Sequence, residues 1–388
     1  KARLFEDSIN SLCADPCPPV TKRSRLKEIV MGGMQHWINK ADLRSTDWHS
    51  TPETELAAGQ VRLKLDAFAL TANNVTYAAF GGAPMFYWNF FPASDQGQGR
   101  VPVWGFATVE KSNADGIAEG KRVYGYFPIS DTLDVEPIRV SDRGFADGAT
   151  HRQELAPIYN TYFFNDADPG YQAEYEDQQM LFRPLYTTGW MIVDSLVEGS
   201  PKVDAAIISS ASSKTALATA HGLHRRGIKT IGVTSAGNVD FVKTSGLYSD
   251  VLTYDAITDL KPEGTMAYVD FVGRPKLTMD IHKTCGENLG RSMVIGVTDW
   301  EADRTPQAGL PGPVPEFFFV PDYAANRSKE LPQGELDKRL GGDLMAFYPL
   351  SKAFVTPETM TGQDAIVKAW RDTVDGNITP DRGLICKL

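Results

Sequence analysis

Between residues 204 and 297 short apolar runs alternate with helix-length segments, and this alternation constrains the fold more than any other feature of the chain. Asp204–Ser210, Lys229–Thr234, Asp250–Thr253, Met266–Phe271 and Arg291–Val297 read as strands. Helices are expected between them over Lys214–Arg226, Asn238–Ser245 and Lys276–Glu287. Strands joined by crossover helices make a parallel sheet covered on both faces, so their cores must be apolar throughout. Ala205-Ala206-Ile207-Ile208 and Thr230-Ile231-Gly232-Val233 meet that requirement.

Upstream the texture differs. Val61–Leu70 alternates apolar and polar residues with period two, as a half-buried strand does. Thr71–Pro92 reads as a loop with a short helix, followed by strands at Val101–Phe106, Ala107–Lys111 and Arg122–Tyr126 between Gly, Pro, Asn and Asp turns. With a further strand near Glu28–Met31, the first part of the chain reads as an antiparallel β domain. Residues 146–177 are too long and irregular for a connector and read as an insert or lid. Gln178–Glu198 is helical in pattern, interrupted by Pro184 and Gly189. Towards the end, a strand at Phe317–Val320, helices over Lys329–Tyr348 and Gln363–Val374, and a closing strand at Gly383–Leu388 are expected.

A length of 388 residues suits two domains. Asp plus Glu (49) exceeds Lys plus Arg (39), and the net charge of −10 argues against a broad nucleic-acid surface or a polybasic membrane patch. No apolar run reaches the roughly 18 residues of a membrane span. The four cysteines, Cys13, Cys17, Cys285 and Cys386, read as free thiols of a reducing compartment, and the chain as cytoplasmic. A disulfide within C-A-D-P-C is sterically tight, and a zinc site there lacks two nearby ligands. Because the sequence opens on Lys1, a removed targeting segment stays open.

The segment with the clearest chemistry is Ala206 to Ala216: an apolar strand, then Ser209-Ser210-Ala211-Ser212-Ser213, then a helix start at Lys214 and Thr215. In a parallel α/β sheet the first strand–helix turn is where a dinucleotide diphosphate sits, on free helix N–H groups. Small residues let the backbone approach the phosphates, Ser210, Ser212 and Ser213 can add hydrogen bonds, and Lys214 can add charge. The turn has no glycine, so it either avoids positive φ or tolerates it in serine. The plainer reading is a serine N-cap before a buried helix. The second strand ends Gly232-Val233-Thr234-Ser235-Ala236-Gly237-Asn238, with no carboxylate to hold the ribose 2′-OH of NAD. Ser235 and Asn238, with Lys243, Arg225 or Arg226, suit a 2′-phosphate, so NADP (NADPH) is expected over NAD.

Taken in order, Ala72-Asn73-Asn74-Val75-Thr76-Tyr77, Val103-Trp104-Gly105-Phe106-Ala107, Gly120-Lys121-Arg122-Val123, Tyr186-Thr187-Thr188-Gly189-Trp190, Ser209–Ala216 and Gly232–Asn238 resemble the medium-chain dehydrogenase/reductase superfamily. Within it the chain is similar to the zinc-independent, quinone-oxidoreductase-like branch, and most to the uncharacterised DUF2855 proteins. The resemblance implies an α/β fold: a GroES-like antiparallel β domain plus a Rossmann-type doubly wound parallel sheet. It divides the chain into a substrate domain at 1–177, a nucleotide-binding domain at 178–350 and a segment at 351–388 that returns to the first domain. It also implies hydride transfer between NADP(H) and a carbonyl, alcohol or activated alkene of a small molecule bound between the domains, and a homodimer through edge strands. The cysteine and histidine ligands of the zinc-dependent members are missing, so no metal is expected.

Without zinc, hydrogen-bond donors must stabilise the developing oxyanion or enolate. By resemblance Tyr77 and Asn74 face the nicotinamide, and Tyr186, Thr187 and Thr188 line it. Tyr77 is equally readable as a packed aromatic with its hydroxyl tied up. In the insert, His151 is a candidate acid or base, Arg152 a candidate clamp for a substrate carboxylate, and Tyr159 a cleft residue. Phe86-Tyr87-Trp88-Asn89-Phe90-Phe91 reads either as an apolar substrate wall, with Trp88 against the substrate, or as core. His221 and His224 share a helix face and read as solvated. Two competing functions stay open: a non-redox lyase, hydrolase or isomerase on the same scaffold, using His151, Tyr77 or Tyr159, and a ligand-binding or scaffold protein without activity.

Overall fold

The period-two pattern at Val61–Leu70 becomes a central strand of a β domain, and the apolar runs after residue 204 become a parallel sheet. A computed structural model describes residues 31–83, 85–295 and 309–388. In chain order the β domain comprises β1 (Met31–Asn39), β2 (Asp42–Pro52), β3 (Val61–Leu70), α1 (Ala72–Ala79), β4 (Gln98–Gly99), β5 (Pro102–Ser112), β6 (Arg122–Pro128), β7 (Thr132–Val135), β8 (Pro137–Ser141), β9 (Gly144–Asp147) and β10 (Thr161–Phe164). The second unit comprises α2 (Glu176–Glu198), β11 (Ala205–Ser209), α3 (Lys214–His224), β12 (Lys229–Thr234), α4 (Val239–Thr244), β13 (Asp250–Thr253), β14 (Met266–Asp270), α5 (Pro275–Cys285), β15 (Leu289–Val294), β16 (Glu316–Phe317), α6 (Val320–Glu330) and α7 (Glu335–Ser351). Then follow β17 (Thr356–Thr361), α8 (Gln363–Val374) and β18 (Arg382–Lys387).

The parallel sheet runs β13-β12-β11-β14-β15-β16, so the strand order reverses between β11 and β14. That reversal opens a crevice at the carboxyl ends of the two strands, the usual ligand position in such sheets. The β domain holds a nine-stranded sheet and a three-stranded one, β2-β1-β4. The chain end belongs to the larger sheet: β18 pairs antiparallel with β3, and β17 pairs parallel with β18 across α8.

One continuous buried cluster joins the two units, running from Tyr77, Trp104 and Tyr126 through Leu181 and Tyr186 to Ala216, Leu217 and Ile208. Its spine is α2, whose buried residues span Gln178 to Leu196. Contrary to the sequence expectation, neither Pro184 nor Gly189 interrupts this helix. An interior proline costs about 3 kcal/mol, and burial of several large side chains at about 1.5–3 kcal/mol each outweighs it. Gly189 is required rather than tolerated: a Cβ there would lie 2.8 Å from the backbone nitrogen of Thr219 on α3.

Other differences have local causes. The strands expected at Val101–Phe106 and Ala107–Lys111 are one, β5 (Pro102–Ser112). The helix expected over Lys329–Tyr348 is two, because Pro332 and Gly334 (φ 78°) make a turn between α6 and α7. Of the expected Phe317–Val320 strand only Phe317 pairs, in β16, since Val320 already begins α6 ahead of Pro321. The β1–β2 hairpin was not read from sequence. Cys13, Cys17, residues 28–30 of the expected first strand and residues 296–297 of the expected Arg291–Val297 strand lie outside the described residues. Cys285 and Cys386 are buried free thiols. Among the described residues no helix is long and apolar enough to cross a membrane.

Candidate active site

The turn between β11 and α3 does adopt the left-handed conformation that glycine usually supplies, and Ser210 carries it (φ 49°). Ser213 caps α3 by accepting the Ala216 amide at 3.3 Å, while its own amide donates to the Ser210 carbonyl at 2.8 Å. The amides of Lys214 and Thr215, in the first helical turn, have no intrahelical acceptor by geometry and face the helix's positive end. Asn238 Nδ2 donates to Ser212 Oγ at 3.0 Å, so the first turn and the loop after β12 form one wall. Ser235 is exposed at the rim of that wall, and the hydroxyl of Thr234, buried at the end of β12, finds no hydrogen-bond partner.

This arrangement fits the diphosphate and ribose of a dinucleotide through backbone amides, small hydroxyls and an orphaned buried donor, not through charge. Lys214 is the correction. Its Nζ donates to the carbonyls of Arg382 (2.9 Å) and Pro380 (3.3 Å), and burial pushes its pKa down to about 8. Arg225 and Arg226 are a second correction: they follow the C-terminus of α3, at the opposite end of the sheet, and both pair with Asp343 at 3.0 Å. Across the crevice Ser209 Oγ donates to Asp270 Oδ1 (2.8 Å), which also accepts the amides of Val272 and Gly273.

The second constellation is aromatic. On β5 and β6, Trp104 is directly opposite Tyr126 and Phe106 opposite Tyr124, with Gly105 and Gly125 between them on the other face. Tyr77 from α1 meets this face: Trp104 Nε1 donates to its hydroxyl at 3.3 Å, and its ring stands edge-on to Tyr126 at 5.5 Å. Tyr87 and Phe90 close the side, and the Tyr159 ring sits in the middle, 4.8 Å from Tyr126 and 5.2 Å from Phe90. Burial raises the Tyr77 phenol well above its ordinary value of 10, so it keeps its proton at neutral pH. The hydroxyl of Tyr126 is buried beside that of Tyr77.

Sequence reading named Tyr77 and Tyr159, and the structure brings them together. Tyr87 and Phe90 come from the run read as a substrate wall or core; Trp104 and Tyr126 were missed as neighbours, although the W-G-F and Y-G-Y alternation of two adjacent strands was a usable signal. Asn74, named as catalytic, is taken up locally: Oδ1 accepts the Thr71 amide (2.8 Å) and Nδ2 donates to the Pro102 carbonyl (2.9 Å), which caps α1. Trp88 lies in the β-domain core, wedged between Gly81 and Gly99, where an added Cβ would fall 2.0 and 2.3 Å from its ring. Tyr186 is wholly enclosed, its hydroxyl 2.9 Å from His221 Nδ1 and its ring 4.9 Å from Phe347 of α7. Far from being solvated, His221 is therefore buried between helices. The Thr187 and Thr188 hydroxyls donate to the carbonyls one helical turn back. His151 is exposed, with Nε2 3.3 Å from the Phe90 carbonyl oxygen.

Arg152 is the clearest departure. It is 1% exposed and ion-paired at 2.8 Å with Asp147, itself 3% exposed. It also donates to Asn160 Oδ1 (2.9 Å), the Tyr162 hydroxyl (3.0 Å) and the Tyr159 carbonyl (2.6 Å). With its guanidinium so engaged, it ties the insert to the sheet and is not open to a substrate carboxylate.

Among the described residues no group of three or more His, Cys, Asp or Glu side chains is placed to hold a metal ion. No curated protein matches the sequence. Solved structures do match over nearly the whole fold. CurA from Vibrio vulnificus in complex with NADPH shares 12% identity over 91% of this chain and 98% of its own, with a TM-score of 0.59. A mutant enoyl thioester reductase from Candida tropicalis shares 13% over 92% and 100%, with a TM-score of 0.61. The yhdH oxidoreductase from Salmonella enterica in complex with NADP shares 15% over 92% and 99%, with a TM-score of 0.55. The fold is thus the one these structures share, a GroES-like β domain joined to a Rossmann-type sheet. The sequence also matches, over residues 68–379, the family described as a protein of unknown function, DUF2855, and to that family this chain belongs.

Proposed function

We propose that this protein is an NADPH-dependent, zinc-independent reductase acting on a carbonyl or activated alkene of a small apolar substrate. The observation that carries the reading is the β11–α3 turn at the reversal of strand order: Ser210 adopts the left-handed conformation, and Ser213 caps a helix aimed at the crevice. Support comes from structurally similar proteins that were solved with NADPH or NADP. The preference for NADPH over NADH rests on the end of β12, where Thr234 to Asn238 carry no carboxylate.

In this reading the amides of Lys214 and Thr215, with Ser210, Ser212 and Ser213, hold the diphosphate, and Thr234, Ser235 and Asn238 hold the adenosine ribose. When bound, NADPH supplies the hydride. Tyr77 supplies the donor: its proton stays on at neutral pH and is offered to the substrate oxygen on which negative charge develops. The Trp104 indole N–H, a donor only, steadies the Tyr77 oxygen as that proton moves. The packed aromatic walls exclude water from the reacting atoms.

Titration of NADPH fluorescence against the full chain tests the reading. Saturable enhancement is expected, weakened in Ser213→Ala; no binding at high micromolar NADPH overturns it. Tyr77→Phe should keep NADPH binding and lower kcat/KM for aldehydes and enones by about 10²-fold, the lower end for a lost proton donor. The commitment of Lys214 to Pro380 and Arg382 favours one second reading, a non-redox enzyme on this scaffold. Substrate turnover by cofactor-free protein would select it.

A further inference from the structure

The insert carries one side chain into the middle of the aromatic cluster. Tyr159 is carried on a single turn of 3-10 helix, Pro157–Asn160. Its ring is ringed by Tyr77 (6.3 Å), Tyr87 (5.9 Å), Phe90 (5.2 Å), Trp104 (6.0 Å) and Tyr126 (4.8 Å), in mostly tilted or edge-on geometries. Its hydroxyl interacts with those of Tyr77 and Tyr87, so a phenol oxygen already sits beside the donor assigned to the substrate.

The backbone at Tyr159 is fixed, because Arg152 holds its carbonyl and the neighbouring Asn160. Tyr159 as a residue is of intermediate exposure although its hydroxyl is buried, and Ile158 beside it is 41% exposed. With the backbone held, the motion that would empty the cage is a χ1 rotation of the Tyr159 side chain. An emptied cage would present five aromatic walls, which match a flat ring better than an aliphatic chain.

We propose that this cage is a subsite for an aromatic ring conjugated to the reducible carbonyl or alkene, and that Tyr159 is the specificity-determining gate that occupies it until such a ligand enters. The proposal rests on the reading of Tyr77 as the hydrogen-bond donor. Arg152 acts through Tyr159, as a positioning residue.

The test compares two enones, 4-phenyl-3-buten-2-one and 3-penten-2-one, by calorimetric or saturation-transfer binding to the full chain without NADPH. Wild type should bind the phenyl enone. Tyr159→Ala should bind it at least tenfold more tightly, with little change for the methyl enone, and Tyr159→Trp should bind it more weakly. Tyr159→Phe, which keeps the packing, serves as the folding control and should stay close to wild type. An unchanged phenyl-enone affinity in folded Tyr159→Ala overturns the proposal, as does an equal gain for both enones. Because no cofactor is present, the result is separable from the NADPH titration: phenyl-enone binding with no NADPH binding keeps the cage and removes the reductase.

Discussion

Replacing Arg152 with methionine should unfold the protein more readily by about 4 kcal/mol. Its guanidinium and the Asp147 carboxylate are almost completely buried and 2.8 Å apart. Removing one partner of a buried ion pair typically costs about 3–5 kcal/mol, because the other charge is left without compensation. Two features move the figure in opposite directions. Asp147 Oδ1 keeps the amides of Glu136 and Ala149, both at 3.0 Å, which softens the loss. Asn160 Oδ1 and the Tyr159 carbonyl lose their donor, which deepens it. Urea denaturation followed by circular dichroism and tryptophan fluorescence measures the change. Asp147→Asn alone should cost somewhat less, and the double variant should fall short of the sum by about 2 kcal/mol, since the two groups share one network. If Arg152 instead served a substrate carboxylate, its loss would raise KM for acidic substrates and leave the unfolding midpoint in place. A cost below about 1 kcal/mol would refute the structural assignment.

Three further outcomes are expected. Burial, aided by Arg371, holds His36 near pKa 3, and burial, aided by Arg225, holds His221 near 4, against 6.5 in the unfolded chain. As pH falls below about 6.5 the unfolded chain takes up two protons that the folded chain refuses, so stability should drop by up to about 1.4 kcal/mol per pH unit per histidine; chemical denaturation at pH 7, 6 and 5 should show the slope, reduced in folded His36→Leu. Gly189→Val should destabilise by about 1–3 kcal/mol, read as a lowered Tm, because its side chain meets the α3 backbone at Thr219. Ser213→Ala should cost about 1 kcal/mol through the lost cap of α3, read by urea denaturation.

The parallel sheet was legible because its central strands, β11, β12 and β14, are buried on both faces, and such strands announce themselves as continuous apolar runs. Lys229–Thr234, Asp250–Thr253 and Gln363–Val374 begin and end where their patterns do. The α3 cap was legible too, since a serine before a helical run acts through its own neighbours. Failures arose where local preference met tertiary burial, as at Pro184, or where a short turn was overlooked, as at Pro332 and Gly334.

Side-chain roles divide along the same line. Sequence alone determined the alternation that makes the crevice, the small residues at its turn and the tyrosine that follows the Asn-Asn-Val-Thr run. Only the tertiary structure decided that Lys214 serves the chain end, that Arg152 binds its own loop and that Tyr159 fills a cage built from three distant segments. The reason is range: a cap or a period is fixed by residues a few positions away, whereas the partner of a long charged or aromatic side chain is chosen by whichever surfaces folding brings within a few ångströms of it.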